Sequence, residues 1–225
     1  MRCVAAVLSA LVVAGGAAAQ APAAPPTSPP TAPAPGPRTF VIDAKQSVLA
    51  VQVFKDGAAA ALAHNHVVSA TTMSGRIVVD PANPSAARID VTLPTAALIN
   101  DDPKLRKRFG VTGDVPEGDR KMILEHMQDA GQLDIAHFPT MQFSSTSTTG
   151  TGNKLVLNGK LTIHGVTRDI SLPVDVTFTD TSVRGTGSVK LKTSDFGIEP
   201  YSAFLGAVKN KDGIVLHVDL VGTAG

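Results

Sequence analysis

The chain has 225 residues, with 20 Lys+Arg against 19 Asp+Glu and a formal net charge of +1. Balanced charge provides no field to draw in nucleic acid, and 4% aromatics without a tryptophan leave little to stack bases on. Once a leader and a spacer are set aside, about 185 residues remain, enough for one well-cored domain and too few for two ordinary ones.

Met1 and Arg2 precede an apolar run at residues 4–13 and then small residues at 15–19. That order predicts a secretory signal peptide over residues 1–19, cut near Ala19; the run is short for a bilayer span. Cys3 is the single cysteine and falls within this leader. The exported chain is therefore expected to have no thiol for a disulfide, a nucleophile or a metal. Residues 20–37 are almost all Ala, Pro, Thr and Ser, a composition that forms no core and extends as polyproline II. They read as a linker to a domain over residues 38–225.

From Thr39 onward the dominant pattern has period two. Leu49, Val51 and Val53 alternate with Ala50, Gln52 and Phe54, and Ile77 and Val79 continue the phase of Met73 and Gly75. Ile89, Val91 and Leu93 follow. Leu155, Leu157, Leu161 and Ile163 share a face interrupted by Gly159. Ile170, Leu172, Val174, Val176 and Phe178 make the longest run, and Ile214, Leu216, Val218 and Leu220 oppose His217 and Asp219. Such alternation marks strands with one apolar and one wet face. Turn residues at 80–84, 150–153 and 211–213 separate them. The intervals suit antiparallel neighbours, because the helices needed to cross between parallel strands are missing.

The period changes between residues 101 and 136. Residues 102–109 predict a short helix with an acidic start and a basic end, as the helix dipole favours. Residues 121–130 predict a second helix, with Met122 and His126, and Ile123 and Met127, stacked at i, i+4 and Gly131 as its stop. These helices insert between strands. Eight to ten strands with one apolar face and so little helix to cover it predict an all-β antiparallel barrel, rolled so that its oily faces meet. At about eight strands the interior either packs solid or holds one slender ligand.

Polar chemistry is sparse. His64 and His66 are two apart, which on a strand places both rings on one face, half of a metal site. Asn65 between them suggests a turn, in which case the imidazoles bond backbone at the rim. Completion of a site would need His126, His137, His164, His217, Glu125 or an aspartate. His164, before Gly165, is expected to stabilise a turn by a hydrogen bond. Asp195-Phe196-Gly197 lacks the glycine-rich loop and the lysine strand that would make it a nucleotide motif. Residues 201–206, apolar and glycine-containing, suggest a flap over a mouth or a packed loop. G-x-S-x-G, S-x-x-K and H-E-x-x-H are all missing, which argues for a binding protein over an enzyme.

Several segments resemble the YceI-like family of exported lipid- or polyisoprenoid-binding barrels. They are Phe40-Val41-Ile42-Asp43 with Ser47-Val48-Leu49, Ser74-Gly75-Arg76-Ile77 with Asp80-Pro81, and Phe138-Pro139-Thr140-Met141-Gln142-Phe143-Ser144-Ser145. Leu161-Thr162-Ile163-His164-Gly165-Val166-Thr167 with Leu172-Pro173-Val174 is the most specific, and Ser194-Asp195-Phe196-Gly197-Ile198 adds another. The resemblance implies a lipocalin-like barrel in the periplasm with an elongated apolar cavity for a long isoprenoid or related lipid.

On this reading Leu49, Val51, Val53, Ile77, Val79, Val91, Phe143, Leu157, Leu161, Leu172, Val174 and Phe178 line the interior. His64, His66 and Tyr201 supply polar groups at the mouth. No cofactor is expected; the partners are a lipid and, transiently, a membrane, with the chain a monomer or homodimer. The competing expectations are a metal- or haem-handling protein using His64 and His66, and a ligand-free stress-related interaction module.

Overall fold

A computed structural model describes residues 36–80 and 82–224. The expected signal peptide and most of the linker lie outside them. The twelve strand segments are β1 (Arg38–Ile42), β2 (Val48–Asp56), β3 (His66–Ala70), β4 (Ser74–Asp80), β5 (Asn83–Pro94), β6 (Leu98–Asn100), β7 (Thr140–Thr151), β8 (Lys154–Ile163), β9 (Val166–Phe178), β10 (Ser182–Lys192), β11 (Ser202–Ala203) and β12 (Val208–Ala224). Two helices, α1 (Pro103–Arg108) and α2 (Glu117–Gln128), interrupt them between β6 and β7.

Every pairing is antiparallel, and eight strands close a ring in the order β1-β4-β5-β7-β8-β9-β10-β12, with β12 returning to β1. The expected barrel with inserted helices is what forms. Strand β12 has two successive neighbours on one edge. Residues 222–224 pair with β1, and residues 209–219 pair with β2. The corner at residues 43–47 lets β1 and β2 lie end to end, and Ser47 ties it down by accepting the Val221 amide at 2.9 Å. Beyond that corner β2, β3 and β6 extend the wall. The turn at Thr95–Ala97 joins this extension to the ring. There Thr71 donates to the Ala97 carbonyl, and the Thr95 amide to that of Pro139.

The two ends are filled differently. At the β1 end, Phe40, Ile42, Ile77, Val79, Ala87, Leu155, Val174, Val176 and Val183 bury one another, and Phe40 and Val79 are nearly inaccessible. At the other end a smaller cluster of Leu161, Phe196 and Ile198 packs with partly buried Phe143, Leu191 and Leu216. Gly159 matters here because its bare Cα lets the Phe143 ring lie across it; a Cβ would stand 2.6 Å from that ring. The break foreseen at Gly159 is thus a slot for an aromatic.

Helix α1 starts where expected, with Asp102 accepting the Lys104 and Leu105 amides at 2.9 and 3.0 Å. It packs on the outside of the barrel. Phe109, just past it, stacks on His217 at 4.4 Å and its carbonyl accepts from Gln52. Helix α2 begins at Glu117, four residues earlier than expected, and ends before Gly131, with Asp129 already extended. Proline at 116 and the acidic residues Glu117 and Asp119 favour the earlier start.

Candidate functional site

A cavity of about 620 Å³ occupies the barrel interior away from the Phe40 plug, within the range of small-molecule sites. Its wall is overwhelmingly apolar. Alternation explains how: the residues of each strand that face it are two apart, as with Leu49, Val51 and Val53 on β2 or Leu216, Val218 and Leu220 on β12. Leu191, Phe196 and Ile198 complete one side. Helix α2 lies across the mouth and presents Met122, Ile123, His126 and Met127 to the cavity. Met122 and Tyr201 line it while remaining exposed to solvent, so they mark the rim. The His126 and Tyr201 rings approach to 6.2 Å across that rim.

Of the residues expected inside, Leu49, Val51, Val53, Val91, Phe143, Leu157, Leu161 and Leu172 line the cavity. Ile77, Val79, Val174 and Phe178 do not; they belong to the packed core at the closed end. They share the inward face, but the barrel is solid at their depth because the β1 side chains Phe40 and Ile42 plug it. The cavity residues that sequence reasoning missed include those of α2, together with Leu133, Met141, Leu191, Phe196 and Ile198. Phe196 sits in a 3-10 turn at Ser194–Phe196, in a segment noted for its resemblance but invisible to strand alternation.

His64, His66 and Tyr201 all reach the cavity. His66 opens β3, and Asn65 before it accepts the Lys55 amide at 3.0 Å. The two imidazoles stand 6.4 Å apart, edge to face. His66 Nδ1 lies 2.7 Å from Asp101 Oδ2. A carboxylate only accepts, so Nδ1 carries the proton and Nε2 is the ring's remaining polar atom. Asp101 is 1% exposed and meets Arg106, 4% exposed, at 2.5 Å. Arg106 also donates to the carbonyls of Asn65, Thr112 and Gly113. Burial pushes the Asp101 carboxyl up, but hydrogen bonds from His66, the Val67 amide and Arg106 outweigh it and hold the group below the ordinary carboxylate value. This buried network pins the His64–His66 strand start to the inserted helix. It is structural chemistry at the edge of an apolar site.

Among the described residues, no group of three or more His, Cys, Asp or Glu stands close enough to hold a metal ion. His137 pairs with Asp134, and His217 faces outward beside Gln52 and Phe109. His164 does not stabilise its turn by a ring hydrogen bond. It occupies a two-residue hairpin loop with Gly165, both at positive φ (51° and 70°), and its ring packs on Phe138 at 4.3 Å. Residues 201–206 neither fold over the mouth nor pack away: Tyr201 lines the cavity, whereas Phe204 and Leu205 point into solvent.

Comparison with known proteins agrees with this geometry. The YceI-like domain matches residues 40–221. Protein YceI of Salmonella arizonae is 31% identical over 98 residues, 44% of this chain and 42% of that protein. The match thus spans about two fifths of the curated relative, and the same figures hold for protein YceI of Salmonella newport. Among solved structures, BcnA of Burkholderia cenocepacia superposes with a TM-score of 0.62 at 19% identity, over 81% of this chain and 99% of that one. The Campylobacter jejuni YceI protein gives 0.53 at 21%, over 70% and 84%. At such identities the likeness concerns the fold.

Proposed function

The chain belongs to the YceI-like family, and from that premise we propose that its barrel is an exported, non-catalytic carrier of a long apolar molecule, an isoprenoid chain or a related lipid, in the periplasm. The observation that carries the reading is the cavity of about 620 Å³, greasy along its wall, solid at one end and reaching solvent at the other. An apolar chain entering it leaves water, at about 0.8 kcal/mol per methylene, so a guest of a dozen carbons binds tightly with few polar contacts. A polar head, where the guest has one, stays at the rim beside His64, His66 and Tyr201.

Native mass spectrometry of protein recovered from the periplasm tests this. A co-purifying hydrophobic molecule, released by organic extraction, is expected. Recovery of an empty barrel that also takes up no long-chain fluorescent probe would overturn the proposal. Elemental analysis of the dialysed protein beside a His64→Ala/His66→Ala variant tests metal or haem handling directly: bound metal lost in the variant would favour that reading.

A further inference from the structure

Two loops beside the mouth carry large apolar side chains that the fold does not use. The β2–β3 loop turns at Ala60–Leu62 and leaves Leu62 82% exposed. The loop leading into β12 turns at Phe204–Gly206 and leaves Phe204 82% and Leu205 109% exposed. The loops are tied together, the Ala59 amide donating to the Ala207 carbonyl at 2.8 Å. The three side chains therefore belong to one tip. That tip is continuous with the rim: Ala63 and His64, directly after Leu62, line the cavity, as do Tyr201 and Val208 on either side of Phe204 and Leu205.

The backbone holds this display against local preference. Phe204 and Leu205 both have positive φ, 50° and 56°, the left-handed region that bulky side chains avoid. Around the tip lysines and carboxylates are mixed, with Asp56 facing both Lys209 and Lys211, and Glu199 and Asp119 lining the cavity beside Tyr201. Lys55 donates to the Ala63 carbonyl, Lys209 and Lys211 lie on the strand that leaves the tip, and Asp56 answers Lys209 at 3.7 Å. An apolar point set in a mixed polar surround is the chemistry of an interfacial anchor, in which side chains enter the acyl boundary and polar groups stay among headgroups. Among the described residues no helix is long and apolar enough to cross a membrane.

We infer that this tip seats the cavity mouth on a lipid bilayer, with Leu62, Phe204 and Leu205 inserted among the acyl chains. A guest then passes between barrel and bilayer along a continuous apolar path. Docking stands on the tip itself; passage of a guest rests on the carrier reading above.

The chain has no tryptophan, so a Leu205→Trp reporter has no background. Vesicles of phosphatidylethanolamine with phosphatidylglycerol are expected to blue-shift its emission, and lipids brominated on the acyl chains to quench it. In flotation with the same vesicles, a Phe204→Ser/Leu205→Ser variant is expected to partition at least about tenfold less, since each lost side chain is worth about tenfold or more when buried. Uptake of a free long-chain fluorescent probe in solution should be unchanged in the serine variant, which also serves as its folding control. An unshifted reporter, or equal flotation of parent and serine variant, overturns docking. So does a concentration-dependent dimer in sedimentation that the serine variant abolishes, because the tip would then belong to a second copy. Vesicle binding without probe uptake supports docking and refutes the carrier.

Discussion

Ala70 on β3 is where filling the cavity should help the fold and harm the function. It faces the void with His66 and Val68, and it is half-buried. An Ala70→Leu substitution adds three carbons on that face. Each buried methylene stabilises by about 0.8 kcal/mol, or about 2.4 kcal/mol together. Fixing the leucine rotamers costs about 0.5–1 kcal/mol, so a net gain of about 1.5 kcal/mol is expected. In a solid core the same insertion would force neighbours off their rotamers and cost about 1–3 kcal/mol. The sign of the change therefore separates a void from a packed interior. Urea unfolding of lipid-stripped protein reads stability, and displacement of a long-chain fluorescent probe reads the cavity. Loss of about three methylenes of guest contact should weaken the probe by about 2 kcal/mol, roughly thirtyfold. A destabilised variant would show that the space beside Ala70 is already filled. A stabilised variant that binds the probe as before would place the guest elsewhere.

Arg106→Met should cost about 3–5 kcal/mol in urea unfolding, because it leaves the buried Asp101 carboxylate without its counter-charge. The Asp219 carboxyl is held low by hydrogen bonds from Arg184 and Arg108, against burial, and Asp101 is held low as well. Both contribute stability that is complete above the unfolded carboxylate range and is lost as pH falls through their folded values. Acid titration of the unfolding midpoint should show that loss below about pH 4, and Asp219→Asn should shrink it. Burial, and secondarily Arg108, pushes His217 below its ordinary value. The unfolded chain then takes up the proton first, so stability should fall as pH drops below about 6.5, and His217→Gln should flatten that part of the curve. Gly159→Ala should displace the Phe143 ring, costing about 1–3 kcal/mol in thermal or urea unfolding and altering probe emission in the cavity.

Much of the wall was legible in the residues because one oily face repeats every second position. Strand β10 escaped that pattern. Its inward positions opposite Val176 and Val174 are Gly185 and Gly187, so the alternation contains blanks where the strand faces the core. Strand β3 was obscured differently: Asn65 reads as a turn residue, but the turn lies earlier, at Ala60–Leu62, and the strand begins immediately after Asn65. Periodicity reports the face of a residue and not its height in the barrel. Val174 and Leu172 are indistinguishable by pattern, yet one packs under Phe40 and Ile42 and the other touches the cavity. Helical spacing located α2 without revealing that its Met and Ile side chains close a mouth. The approach of the loops bearing Leu62 and Phe204–Leu205 depends on pairing of Asp56 with Lys209 and on the Ala59–Ala207 hydrogen bond, between residues far apart in the chain, and no local motif announces it.

For the carrier proposed above, the plug formed by Phe40, Ile42 and Val79 has a consequence for traffic. A tube open at both ends passes cargo straight through, whereas a sac with one doorway makes loading and unloading share it. Donor and recipient cannot be served at the same moment; each must take its turn at the same threshold. In such a carrier the direction of delivery would be set by which neighbour holds the cargo more tightly, and not by any polarity of the vessel.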